Sequence, residues 1–246
     1  MEILSLCTSA GLWDKAWMEA GHTVIPACEI MPHKRAIYRD FLGVIYDIHL
    51  FDDLHDVVAW SKGKYYDGII GGIPCQSRST LRSIRAPKFG DLLAPVLEIL
   101  GNCTWGWAIF ENVRALDIPG FHKIKMNAMN YGKPHQSRER WFTYSDGLTP
   151  PKPLYPGNVD ELMAYPVVAG RIYGPKQGAV LQGWPEFADL KFPCAQLQEA
   201  LADGVPRGLA DAWIRSAERK FAEDYATSEE AAYYDELNRG YAQDRI

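Results

Sequence analysis

The segment Gly71-Gly72-Ile73-Pro74-Cys75-Gln76-Ser77-Arg78-Ser79 presents a thiol just after a short apolar run. Glycines allow a tight turn after a strand, and Pro74 stiffens the loop that carries Cys75. Such a thiol can serve as a nucleophile where nearby positive charge favours the thiolate. Arg78, Arg82, Arg85 and Lys88 follow at three- or four-residue spacing with no acid between them. Beside a nucleophile they read as a loop that closes over a phosphate backbone; in isolation they read as a solvated charged loop, and Cys75 as a small buried thiol. Further along, Phe110-Glu111-Asn112-Val113 places a carboxyl and an amide at a strand end, where in isolation they read as capping or pairing groups. Arg138 and Arg140 could stabilise developing negative charge in a dry pocket, or form surface ion pairs of small worth.

The elements that must position these groups alternate. Residues 2–7 read as a strand, 10–20 as a helix, 23–29 as a strand, and 32–41 as a helix with Pro32 in its first turn. A strand at 44–46, a helix at 53–61, a strand at 66–71, a helix at 91–100 and a strand at 107–113 continue the series. Residues 140–144 read as a strand, 195–221 as largely helical, and 228–241 as a polar helix or frayed tail. This rhythm implies an α/β fold, a mostly parallel sheet with helices on both faces. Ligands bind such sheets beyond the carboxyl ends of the strands. Cys7, Glu29, Asp47, Gly72, Cys75 and Glu111-Asn112 all fall there.

Composition narrows the classes. The 246 residues are 47% hydrophobic and 23% charged, which is ordinary for a globular enzyme with a full core. No apolar run has membrane-spanning length, and the opening residues read as a strand rather than a signal peptide. The five cysteines show no C-x-x-C pair, so neither a disulfide framework nor a metal site is expected, and a cytoplasmic setting is. The net charge of −5 sits after Phe221, where Glu223, Asp224, Glu229, Glu230, Asp235, Glu236 and Asp244 face only Arg239 and Arg245. The body is therefore neutral, and the acidic total does not exclude a nucleic-acid partner.

The Pro-Cys segment resembles the nucleophile motif of the DNA cytosine-5 methyltransferases, and four further stretches are similar to that family in the same order. These are Phe110-Glu111-Asn112-Val113, the run from Tyr131 to Phe142 with its Gln136-Ser137-Arg138-Glu139-Arg140, the run from Pro175 to Pro185 ending Leu181-Gln182-Gly183-Trp184-Pro185, and Asp203-Gly204-Val205-Pro206. The resemblance implies a Rossmann-like methyltransferase fold that uses S-adenosylmethionine. It puts Cys75 in the role of adding to C6 of cytosine, Glu111 at N3, Arg140 at O2 and Arg138 in orienting the site, with the base flipped out of its helix. Gln76, Arg78, Ser79, Arg82, Arg85, Asn112 and Gln136 are implied substrate or DNA contacts.

For the cofactor, the resemblance implies Leu6, Cys7, Thr8, Gly11, Leu12, Glu29, Ile30, Asp47, Ile48, Gly72, Pro74, Asp203 and Val205, with Trp13 as further apolar contact. A carboxylate at Glu29 can accept both ribose hydroxyls, and Asp47-Ile48 resembles the pair that holds adenine. The first loop departs from the family. Where relatives have Asp-Leu-Phe-x-Gly-x-Gly-Gly, this chain has Ser5-Leu6-Cys7-Thr8-Ser9-Ala10-Gly11-Leu12. Asp203 stands in place of an Asn.

The expected organisation is a catalytic and cofactor-binding core over 1–142, a short Pro-rich remnant at 143–170 where the family inserts its target-recognition domain, the rest of the core over 171–220, and an acidic helical tail at 221–246. So short a remnant implies short or relaxed specificity on double-stranded DNA, or a separate specificity subunit, in a restriction–modification or phage setting. Two alternatives stay open: the same chemistry on RNA or a free cytosine nucleotide, and an inactive regulatory or DNA-binding subunit.

Overall fold

A computed structural model describes residues 1–43, 50–73, 92–132, 137–155 and 174–243. The expected strand at 44–46 lies outside these, as do Asp47, Ile48, Pro74, Cys75, Gln76, Arg78, Ser79, Arg82, Arg85, Lys88, Gln136 and most of 143–170. Seven strands form one sheet in the order β3-β2-β1-β4-β5-β7-β6. They are β1 Glu2–Leu6, β2 Thr23–Cys28, β3 Leu50–Phe51, β4 Tyr65–Gly72, β5 Thr104–Asn112, β6 His122–Asn127 and β7 Glu139–Tyr144. The first five run parallel, while β7 is antiparallel to both β5 and β6. The order reverses between β1 and β4, and such a switch point opens a crevice at the carboxyl edge.

Helices cover both faces. On one side α1 (Leu12–Glu19), α2 (Pro32–Leu42) and the first turns of α7 (Arg207–Gln243) enclose a core containing Trp13, Trp17, Ile37, Phe142 and Trp213. Trp17 stacks on Trp107 of β5 with ring centroids 5.2 Å apart. Gly68 of β4 is glycine because any Cβ there would lie 2.2 Å from the Trp107 ring. On the other side α3 (Leu54–Ser61) and α4 (Leu93–Asn102) pack Val57, Leu93, Val96 and Ile99 against Leu4, Leu6, Ile69 and Phe110. Asp53 caps α3 by accepting the backbone N–H of His55.

Two elements differ from the sequence reading. His122-Lys123-Ile124-Lys125-Met126-Asn127, to which the sequence reading gives no element, is an edge strand whose basic side chains face Asp146, Asp117 and Glu139. An edge with charged side chains resists further strand pairing. The helical stretch near the carboxyl end divides at Gly204-Val205-Pro206 into α6 (Cys194–Asp203) and α7, and α7 then runs unbroken through the acidic region to Gln243. The intervening α5 (Pro175–Leu181) leads to Gln182 and Trp184, whose side chains donate to the carbonyls of Leu201 and Val205 and so hold the α6–α7 turn.

Candidate active site

The carboxyl edge of the sheet gathers two sets of groups. The first lies on β5 and β7. Glu111 pairs across the sheet with Phe142, and Arg140 lies two residues earlier on the same face of β7. This diagonal relation brings the side chains together: Arg140 Nε donates to Glu111 Oε1 at 2.7 Å. Burial pushes the Glu111 carboxyl above its ordinary range, opposed by the nearby guanidinium groups of Arg140 and Arg138. Asn112, expected as a substrate contact, has its amide engaged with its own chain. Its Nδ2 donates to Ile73 O at 2.7 Å, and its Oδ1 accepts the N–H of Arg114. It thus braces the backbone from which Pro74 and Cys75 depart.

Arg138 sits deeper. Its guanidinium donates to the carbonyls of Ala202 and Gly204, the latter at 2.9 Å, at the carboxyl end of α6. A cation there complements the exposed carbonyls and negative end of the helix. Burial and the charge of Arg140 hold Arg138 below the usual arginine range. Arg138 therefore ties β7 to the Asp203-Gly204-Val205 turn.

The second set lies on β1, β2 and their following loops. Cys7 and Ser9 adopt φ of 55° and 54°, a left-handed conformation that is costly for residues with a Cβ, and Gly11 follows at 78°. The loop therefore keeps a backbone suited to glycine at Ser9, where the sequence has lost one. Gly11 itself admits no side chain, because a Cβ would lie 2.6 Å from the Tyr38 ring. Thr8 Oγ1 and Ser9 Oγ are buried without a partner among the described residues. Glu29 is buried at the end of β2, with Oε1 accepting the Met31 N–H at 2.8 Å and the backbone of Ser9 also donating to its carboxylate. Burial raises its pKa. Burial likewise pushes the Cys7 thiol well up, reinforced by Cys28 and Glu29, so Cys7 stays a neutral thiol.

The two sets meet at Gly72, which pairs with Glu111. A Cβ on it would lie 3.6 Å from Cys7 O and 3.8 Å from Glu111 Oε2, so the glycine keeps that gap clear. Other expected cofactor residues fall into distinct roles. Leu6 is wholly buried in the core and can offer only backbone; Leu12 packs against Gly204; Val205 is buried beside it; Ile30 is exposed.

Two residues that the sequence did not single out stand in this region. Asp14 of α1 is buried, accepts the Ser5 hydroxyl at 2.7 Å and the Tyr38 hydroxyl at 2.9 Å, and is raised by burial to about 6. It sets a buried carboxylate beside Ser5, the position at which the resembled family pattern has Asp. Lys34 of α2 is buried and paired with Asp203. Neither carries a local signal, because an acid or a lysine on an amphipathic helix ordinarily faces water.

A twisted, mostly parallel sheet with this switch-point cleft defines a Rossmann-like α/β protein. Residues 1–146 match the sequence model of the C-5 cytosine-specific DNA methylases, and the chain belongs to that family. It is 31% identical over 119 residues to the type II methyltransferase M.FnuDI of Fusobacterium nucleatum, covering 47% of this chain and 33% of that one. The chain thus matches about a third of the length of this relative. Its fold is similar to that of S. pombe Dnmt2 methyltransferase, with TM-score 0.59 and 12% identity over 88% of this chain and 97% of that one. It is also similar to the Entamoeba histolytica methyltransferase EhMeth, with TM-score 0.61 and 11% identity over 90% of this chain and 98% of that one.

Family membership implies S-adenosylmethionine, and the residues present fit it. Glu29 offers a carboxylate at the end of β2, the first loop offers two unpartnered hydroxyls beside a close-approach glycine, and Gly72 leaves room toward Glu111. Among the described residues no His, Cys, Asp and Glu cluster could hold a metal ion, and no helix is long and apolar enough to cross a membrane.

Proposed function

We propose that the chain is a DNA cytosine-5 methyltransferase acting on double-stranded DNA with short or relaxed sequence preference. The observation that carries this reading is the buried Glu111–Arg140 pair, one strand away from the β4 end that leads into Pro74-Cys75. In the proposed reaction the Cys75 thiolate forms a bond to C6 of a flipped cytosine, and electron density moves toward N3. Glu111, its pKa raised by burial, shares a proton with N3, and Arg140 both holds the Glu111 carboxyl and faces the O2 side of the base. C5 then takes a methyl group and loses its proton to a base, and the Cys75–C6 bond breaks with its electrons returning to sulfur, which restores the thiolate. S-adenosylmethionine supplies an electrophilic methyl when bound. Glu29, Thr8, Ser9, Asp203 and the backbone of the first loop would hold it, while Asn112 and Arg138 keep the nucleophile loop and the α6–α7 turn in register with Glu111.

Methyl transfer from labelled cofactor to duplex DNA, single-stranded DNA, tRNA and dCMP tests the reading, with Cys75→Ser as control. Incorporation into duplex DNA that vanishes in Cys75→Ser is expected. Incorporation indifferent to that substitution contradicts the mechanism, and labelling confined to tRNA or dCMP contradicts the substrate.

A further inference from the structure

We propose that Lys34 is a cofactor-positioning residue that receives the carboxylate of the amino-acid end of the methyl donor. This rests on the methyltransferase reading above. Lys34 lies in the first turn of α2, five residues after Glu29 at the end of β2, and is 7% exposed. Burying an ammonium is costly unless it is paired, and this one is placed where the sheet opens its cleft.

Its surroundings are acidic on the α6 side. Asp203 Oδ2 accepts from Lys34 Nζ, and Glu199 Oε1 stands 3.9 Å away, beyond a direct hydrogen bond. On the sheet side its charge reaches both the Glu29 carboxyl and the Cys7 thiol. Burial works against the ammonium, but Asp203, Glu29 and Glu199 together hold its pKa above the ordinary lysine range, so it stays charged throughout the neutral range. An ammonium carries three donors, and Asp203 engages one of them. No second hydrogen bond of Lys34 is made among the described residues, and its charge acts on Glu29 and on Cys7, which opens the loop carrying the unpartnered Thr8 and Ser9 hydroxyls.

A methyl donor held at its ribose by Glu29 would have Lys34 and Asp203 available for its amino-acid end. Asp203 then faces the ligand's ammonium and Lys34 its carboxylate, so the ion pair of the protein matches the zwitterion of the ligand. A strut joining α2 to α6 would need the charge of Lys34 but would be indifferent to the ligand's carboxylate, which gives the test.

Calorimetry with the full chain would compare S-adenosylhomocysteine with its decarboxylated analogue, in wild type and in Lys34→Met. Wild type should lose about ten- to a hundredfold in affinity on decarboxylation, as for loss of a charged hydrogen bond. Lys34→Met should bind the two ligands equally, with the decarboxylated analogue held as well as by wild type within about threefold. Equal weakening of both ligands in Lys34→Met overturns the proposal and makes Lys34 a structural strut. If Lys34→Met does not fold, wild type still decides: no penalty for decarboxylation overturns the assignment. Failure of wild type to bind either ligand contradicts the cofactor reading itself, a result distinct from a missing carboxylate effect.

Discussion

The β5–β7 side and the β1–β2 side of the cleft reach similar order by different means. On the first, Glu111, Asn112, Arg138 and Arg140 stand in motifs similar to those of the family, and each has a defined partner within the fold. On the second, the first loop departs from the resembled pattern. Ser9 holds a left-handed φ that favours glycine, and the buried carboxylate of Asp14 stands beside Ser5. Strain in a non-glycine residue persists only where the surroundings impose it. The loop conformation is therefore set by what packs around it, Tyr38 and the start of α1, and not by local preference.

That contrast can be broken or sharpened by substitution. The largest effect is expected on the catalytic side: Glu111→Gln should lower kcat by about 10²- to 10⁴-fold with little change in cofactor affinity, read by steady-state methyl transfer and calorimetry. Next, Gly11→Ala on the cofactor side combines a positive φ with a close approach to Tyr38. It should cost about 2–4 kcal/mol in urea unfolding. If that cost is absent, the packing account of the loop fails.

How much of this was legible depended on whether a residue's neighbours were local. Glu111, Arg138 and Arg140 stand out through the ordered motifs that resemble the family, while strand ends and spacing alone say only that they lie near the carboxyl edge of the sheet. Lys34 and Asp14 could not, because α6 is packed on α2 from more than 150 positions away, and Ser5 meets Asp14 only once α1 folds over β1. The edge strand at 122–127 escaped for another reason. Its alternation of basic and apolar residues has a strand period, but the run is short and its partners Asp146, Asp117 and Glu139 come from neighbouring segments. The break at Gly204-Val205-Pro206 was marked by its turn residues, whereas the continuity of α7 was not marked at all.

Asp14 gives a pH test of the cofactor side. Its folded pKa of about 6 lies above its unfolded value near 3.8, so the native state binds more protons between these values. Stability from this group is fully present below the unfolded value and is lost as pH rises through about 6, by about 3 kcal/mol in all. Asp14→Asn should therefore lose less stability than wild type between pH 5 and 7.5 in urea titrations; parallel pH profiles would remove Asp14 from the account. The smallest effect is expected at Ser9→Gly, which relieves the left-handed strain but loosens the unfolded chain, for a net gain of up to about 1 kcal/mol. A marked loss would show that the Ser9 hydroxyl is structurally engaged.

The central claim is that the two sides form one methyl-transfer site on cytosine. Trapping on duplex DNA containing 5-fluorocytosine tests it most directly, because fluorine at C5 blocks the final proton loss. The account predicts a covalent protein–DNA adduct that requires S-adenosylmethionine, disappears in Cys75→Ser and forms far more slowly in Glu111→Gln. An adduct that persists in Cys75→Ser, or none from a protein that binds both cofactor and DNA, would contradict it.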